Sequence, residues 1–599
     1  MDDRLDAAMD DLAAMHPDDM AQAEAAFAEA EEAADVARIA RITALCNAML
    51  DAACDAATNS DVVSIVAYHS LEEEAFICLD AVGAREVAAH LGPQVRTLRL
   101  YRQPIGAGGL AALLEAPNAA GLTILVLVEC GVGAGGLRAI DSFLKGPGLA
   151  LTFLDVSDEA GPIDDETFLE LAEGLRDHPA LVDVRFRNVV PAHEFGISCV
   201  AGALAESTLI HTVRIAGCGM GVEAMSEFIA TMEENVDESG IESLDLSAND
   251  GIPELTYNAL AAVLAHPRCK VVDLVLSESP LGWVVARQAC ARLGVLALNH
   301  TPLIMPANYP GGPRAGVLGV AEAVAASRTM RELYLVGCGL DDAAAAEIAR
   351  AVGRSTTMTC LSVRTNPAVG DVGFVAIAHA LVASSTLDTL DVGETRPTVE
   401  GMTVFADAVA ASTTLKELWM RDTFADTASV VVFANGLAES KSLVSLSATD
   451  NDALDDVAAA ALGKALVECR TMTTLYVSDT SITSAGAVAL ADGVARSRAM
   501  TTMWVSNRLD DGAIGPAAVE AVRSSVQRRI NAASMFALMG AFGGWGGGGA
   551  AAGPAALAAL AQRRTPAAQF VRRDGDNAML HRMMAMLVGD GGGDGDDVA

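Results

Sequence analysis

The sequence predicts an α/β fold built as a curved solenoid, with parallel strands lining a concave face and helices forming the convex one. Three observations predict it. A short block of alternating apolar residues recurs at a nearly fixed period, the stretches between blocks carry helix formers at helical spacing, and a single unit is too small to bury both of its apolar faces alone.

The period is clearest from Met330 to Val505. Blocks open at Met330, Met358, Leu387, Leu415, Leu443, Met472 and Met500, at intervals of 28, 29, 28, 28, 29 and 28 residues. Counting the opening residue as offset 0, offsets 3 and 5 are apolar too, as in Leu333 and Leu335, Leu390 and Val392, or Leu475 and Val477. Side chains alternate along a strand, so each block is a short strand with one buried face. Earlier copies open at Val95, Leu122, Leu151, Leu181, Ile210, Ile241 and Val271, and another at Leu293, giving about 15 repeats over residues 95–529. The rest of each unit, as in Ala343 to Gly353 or Ala485 to Val494, has helical spacing.

Offset 8 holds Cys130, Cys218, Asn249, Cys338, Asn366, Thr395, Thr423, Asn451 and Thr480. The pattern Leu-x-x-Leu-x-Leu-x-x-(Asn/Cys/Thr), followed by a Gly and a helix ending in Leu, resembles the leucine-rich repeat of the ribonuclease-inhibitor type. That subtype also builds Ran GTPase-activating protein and the sensor arms of nucleotide-binding immune receptors. The resemblance implies a horseshoe in which the offset-8 side chains satisfy backbone groups of the turn leaving each strand.

The flanks differ. Residues 1–35 carry twelve acids against Arg4 and are expected as an acidic, partly disordered arm. Residues 36–94 are expected as a helical N-terminal cap, with Ile39, Ile42, Cys46 and Met49 on one helix face. Within that cap, Ser70 and Glu73 form a capping box opening a helix through Phe76, Ile77 and Leu79 that stops near Gly83. Between 293 and 330 the rhythm breaks, and Pro302, Pro306, Pro310 and Pro313 make 299–316 a protruding loop. A seam between two half-solenoids and a binding loop both fit it. Residues 530–599 form a Gly/Ala-rich flexible region with a basic island at Arg563, Arg564, Arg572, Arg573 and Arg582.

A formal charge of −38 disfavours nucleic acid and anionic membrane, which demand a cationic face, and leaves a protein as the expected partner. No run of 18 apolar residues spans a membrane. Eleven cysteines without any Cys-x-x-Cys pair fit reduced thiols in a cytoplasmic or nuclear monomer. The search for chemistry finds no motif. Gly463 and Lys464 lack the preceding glycine of a phosphate loop, His193 and Glu194 lack a second histidine, and Ser198 lacks the closing glycine of a nucleophile elbow. No catalytic, metal-binding or cofactor-binding residue is therefore expected.

Offsets 2, 4 and 6 point to the concave surface. Five of the ten Trp and Tyr fall there, namely Tyr101, Tyr334, Trp419, Tyr476 and Trp504. Exposed Trp, Tyr and Arg are the residues from which interface hot spots are made. Arg421 joins this set, and Arg99, Arg185, Arg187 and Arg214 form a basic strip on the early repeats. The expected function is a non-enzymatic scaffold that grips a protein on its concave face. A GTPase activator resembling Ran GTPase-activating protein is the alternative, although no catalytic residue of that family is placed by motif. A ubiquitin-ligase adaptor ranks third.

Overall fold

All fifteen blocks become strands, each starting two residues after the block opens. The computed structural model describes residues 46–66, 68–70, 75–159, 161–289 and 291–504, with Ala521 and Ser524. Among these residues one sheet holds sixteen parallel strands whose spatial order follows the chain. The first five blocks give five-residue strands, from Thr97–Tyr101 to Thr212–Ala216, and the later ones give three-residue strands, from Ser243–Asp245 to Thr502–Trp504. The offset-3 anchors Leu98, Leu244, Leu333, Leu418 and Leu475 are fully buried, as the alternation requires.

The sixteenth strand corrects the reading of the N-terminal segment. Val62–Val66 pairs in parallel with Thr97–Tyr101, so the sheet begins one unit before the first recognisable block. Four of its five residues are β-branched, which favours a strand over the expected all-helical cap. The helix expected through Phe76 and Ile77 is instead a two-stranded antiparallel hairpin, Tyr68–Ser70 against Ala75–Ile77. The helix that follows, Ala81–His90, is capped by Asp80, whose Oδ1 accepts from the Val82 and Gly83 amides at 3.0 and 2.9 Å. Gly83 therefore lies inside a helix rather than ending one. Upstream, residues 46–59 are helical, in keeping with the spacing of Cys46 and Met49. The acidic arm 1–35, Glu73 and the region 530–599 lie outside the described residues.

Each strand from Thr97–Tyr101 to Thr474–Tyr476 is followed by a helix, and the helices form the second layer. Their inward faces supply the largest buried side chains, including Phe168, Phe228, Phe374, Phe405 and Phe433. The Phe374 and Phe405 rings, from neighbouring repeats, sit 4.5 Å apart between centroids. Stacking is reinforced at the helix N-termini. Asp342, the first residue of its helix, accepts from the Gly370 and Gly373 amides of the next unit, both at 2.8 Å. Asp371 does the same for Thr398 and Gly401, and Asp456 for Thr483 and Gly486. Amides that a helix leaves unpaired are thus satisfied by its neighbour, and each unit is tied to the next.

Close approach of the helices fixes one glycine. A Cβ at Gly436 would overlap the Ala406 carbonyl of the preceding helix, a backbone group that cannot swing away. Gly436→Ala is expected to lower stability by about 1–3 kcal/mol, read as a shift in urea midpoint. An unchanged midpoint would show that the helices move apart freely.

The proline-rich segment does not break the sheet. Val295–Ala297 pairs with Asp273–Val275 on one side and with Glu332–Tyr334 on the other, so the strand ladder runs through the irregular unit. The loop lies down on the fold: Leu303 is fully buried, Met305 nearly so, and the Tyr309 ring meets Trp283 edge-on at 6.1 Å. The Tyr309 hydroxyl donates to Glu254 Oε2 at 2.9 Å. The helix before this unit, Trp283–Ala289, has only seven residues. Leu303, Met305 and Tyr309 anchor the segment on the fold, while Pro302, Pro306, Pro310 and Pro313 stay exposed to solvent.

Candidate functional site

The strand register gathers the offset-4 residues into a single row on the face of the sheet away from the helices. Its C-terminal part runs Tyr334, Ser362, Asp391, Trp419, Ser447, Tyr476, Trp504, one residue per strand. Parallel strands lie about 4.8 Å apart, so Tyr476 and Trp504 are direct neighbours and Trp419 is two strands away. Trp504 is 61% exposed, whereas Tyr334, Trp419 and Tyr476 are half-buried. Tyr334 is the most constrained of them. Its hydroxyl donates to Glu332 Oε2 at 2.8 Å, and burial, with Cys360 and Glu332 nearby, raises its pKa.

The N-terminal part of the row places Arg185 beside Arg214, with Asp155 and Asp245 as the outer neighbours. These two arginines are engaged within the chain. Arg185 makes a two-pronged contact with Asp183, both N–O distances being 2.8 Å, and lies over the Phe153 ring at 4.7 Å. Arg214 pairs with Asp245 at 2.7 Å. Arg99 stands three strands from Arg185, and Tyr101 and Arg187 belong to the parallel offset-6 row. The strip is thus a chequered surface of both signs rather than a cationic one. Arg421, at the other end, bridges Asp450 at 3.0 Å and Glu394 at 4.0 Å.

Two further rows escape a reading confined to offsets 2, 4 and 6. Offset 7 is held in the left-handed region in unit after unit, for example Glu129, Asp158, Glu278, Glu394, Asp422, Asp450 and Asp479, with φ between 41° and 57°. Each strand leaves the sheet through this residue. Asp, Asn and Gly, which tolerate or favour this conformation, recur at that offset, with Glu in several units and Arg102, Ala248, His300 and Thr365 in others. The result is a line of carboxylates along the strand-exit edge.

Offset 8 carries the turn-satisfying side chains. Asn366 donates to the Leu335, Val363 and Arg364 carbonyls at 2.9, 2.8 and 3.0 Å and accepts from the Leu340 amide at 2.9 Å. Asn249 and Asn451 repeat the arrangement, and Cys130, Cys218 and Cys338 donate to carbonyls of the preceding strand. Burial pushes those three thiols up to about 12, so they are structural donors rather than nucleophiles. Glu159 fills the same place with a carboxylate that accepts from the Cys130 and Val132 amides at 3.2 and 2.6 Å.

Burial raises the pKa of Glu159, and likewise of Asp155, Asp391 and Glu417. The folded chain therefore keeps protons on these groups at pH values where the unfolded chain has lost them. Their contribution is full below about pH 4 and is lost as pH rises through the folded values. The caps Asp164, Asp426 and Asp456 shift the opposite way and lose their contribution only below about pH 4. As pH falls from 7 to 5 the buried carboxylates favour the folded chain, whereas His178, whose pKa burial lowers, works against them by staying neutral where the unfolded chain gains a proton.

Among the described residues, no group of three or more His, Cys, Asp or Glu is placed to hold a metal ion, and no helix is long and apolar enough to cross a membrane. The side chains that suggested chemistry have structural partners. His193 meets Asp165 at 2.9 Å, Ser198 donates to Glu227, and Gly463 lies against the backbone of the next helix.

Comparison with known proteins fits this geometry. The leucine rich repeat family matches residues 468–491, which contain the strand Thr474–Tyr476 and the turn after it. Over 164 residues the chain is 30% identical to leucine-rich repeat-containing protein 73 of Rattus norvegicus, and equally to that of Homo sapiens. The chain carries leucine-rich repeats. These alignments take in 25% of this chain, which spans about half the length of the curated relatives it matches. Among solved structures, the leucine-rich repeat array is similar to the actin-binding site 2 of leiomodin-1, at 13% identity over 33% of this chain and 95% of that one, with a TM-score of 0.22. It is also similar to the yeast Rad7 and Elc1 complex, at 12% identity over 83% of this chain and 94% of that one, with a TM-score of 0.28.

Proposed function

We propose that this leucine-rich repeat array is a non-enzymatic scaffold that holds a protein partner on its strand-lined face. The observation that carries the reading is the offset-4 row ending in Trp419, Tyr476 and Trp504. Trp504 keeps 61% of its surface exposed and the half-buried Trp419 and Tyr476 keep part of theirs, so these rings gain from a second surface, and aromatic residues dominate the energetics of such contacts. Tyr334 and Arg421 frame this end, while Tyr101, Arg99, Arg185, Arg187 and Arg214 form a second patch on the same face. The repeat length and the helices of up to thirteen residues support the ribonuclease-inhibitor type of repeat.

Hydrogen–deuterium exchange tests the location. Partner binding should slow exchange in the strands Glu417–Trp419 and Thr474–Tyr476. Protection confined to the helices Thr427–Glu439 and Ser484–Arg496 would place the partner on the other layer and overturn the proposal.

A further inference from the structure

The charge around the aromatic row is not balanced, and the imbalance specifies a partner. On offsets 2, 4, 6 and 7 of the seven units from Met330 to Trp504 stand six carboxylates, Glu332, Glu394, Glu417, Asp422, Asp450 and Asp479, and the buried Asp391, against two guanidiniums, Arg364 and Arg421. Both guanidiniums are held inside the chain, Arg364 by Glu394 at 2.7 Å and Arg421 by Asp450 at 3.0 Å. Widening the strip to offsets 1, 8 and 9 adds Asp388 and Asp452 against Arg331, Arg396 and Lys416, so the acids still lead nine to five. Arg396 and Lys416 are themselves engaged, with Asp422 at 3.2 Å and Asp388 at 3.3 Å. The early repeats differ, because there Arg185 and Arg214 offset Asp183 and Asp245 directly.

Geometry brings the two kinds of group together. Asp422, Asp450 and Asp479 leave the sheet on successive strands, three residues beyond Trp419, Ser447 and Tyr476. Neighbouring strands are about 4.8 Å apart, so the carboxylates make a rail parallel to the row of rings. A ring face attracts a cation, and a guanidinium stacks on it while still donating to a carboxylate at its edge. A purely apolar segment satisfies only the rings, an acidic one satisfies neither row, and nucleic acid is repelled by both the rail and the overall charge of −38.

We infer that the partner segment seated on this end of the face is cationic: an arginine-rich stretch of another protein, laid across the repeats with guanidinium groups over Trp419, Tyr476 and Trp504 and paired with the carboxylate rail. This rests on the reading of the strand-lined face as a protein-binding surface and names the chemistry that surface selects.

The test titrates the full chain with three synthetic peptides of equal length, one arginine-rich, one glutamate-rich and one of glycine and serine. The arginine-rich peptide should bind alone, and its affinity should fall about tenfold from low to high salt. Asp450→Asn with Asp479→Asn should weaken it by about fivefold or more, whereas the same charge change on the helix layer, Asp407→Asn with Glu468→Gln, should leave it within about twofold. Equal loss in the two charge variants would mean diffuse attraction to an acidic protein and would overturn the inference. Peptide binding lost in Trp419→Ala with Trp504→Ala, yet unmoved by the aspartate pair, would keep the face as a binding surface and overturn its cationic preference. Indifference to both pairs would overturn both.

Discussion

Asn366→Ala should cost about 3–5 kcal/mol of stability, because one side chain serves four backbone groups. Its amide reaches carbonyls of its own strand exit and of the preceding strand, and its carbonyl holds the Leu340 amide, all in a site with no solvent exposure. Alanine leaves the Leu335 and Val363 carbonyls and the Leu340 amide without that partner in a buried site, while the Arg364 carbonyl keeps the Gly337 amide as a donor. Asn366→Asp is no remedy, since a carboxylate cannot donate to the Leu335, Val363 and Arg364 carbonyls. Because repeats touch only their neighbours, the damage should be local. Exchange should speed up from Leu335 to Leu340 and stay near its original rate at Leu98 or Leu125, and the urea midpoint should fall. A loss below about 1 kcal/mol would mean that the turn finds other partners.

Replacing Trp419 and Trp504 together by alanine should weaken partner binding by about 2–4 kcal/mol, or roughly 30- to 1000-fold in affinity. Neither ring is part of the fully buried core, and Trp504 keeps 61% of its surface accessible. The strands beneath are fixed by Leu418 and by pairing on each side rather than by the rings. Thermal melting should therefore move little while binding collapses. Loss of both together would mark the rings as packing elements, and retention of both would remove them from the interface.

Much of the architecture is legible in the sequence because a repeated strand leaves a repeated mark. Offsets 0, 3 and 5 recur often enough for fifteen strands to be placed, and the offset-8 residues announce a turn. Val62–Val66 is missed for the opposite reason. It is one of a kind, preceded by helix and followed by a hairpin, and no periodicity separates it from a cap. The prolines at 302–313 are correctly read as excluding regular structure, but whether such a loop stands out or lies down depends on the surface beneath it. Here that surface includes Trp283, whose ring meets Tyr309, a fact of packing rather than of local composition.

The candidate site is legible in part for a similar reason. Alternation assigns Tyr334, Trp419, Tyr476 and Trp504 to one row, and the register confirms that row. Alternation says nothing of which charges meet across strands. The arginine strip looked cationic along the chain, yet Arg214 meets Asp245 from the next unit, 31 residues later. The carboxylate rail escapes alternation because its residues sit just past the strand, in a left-handed conformation that strand alternation does not describe.

The most direct measurement of the central claim is site-specific cross-linking. A photoreactive residue placed at Tyr476 on the strand-lined face, and separately at Val488 on the exposed side of a helix in the same unit, is irradiated in the presence of the partner. Capture from position 476 and none from 488 is the result expected of a scaffold that grips through its sheet. Capture from 488 alone would contradict it.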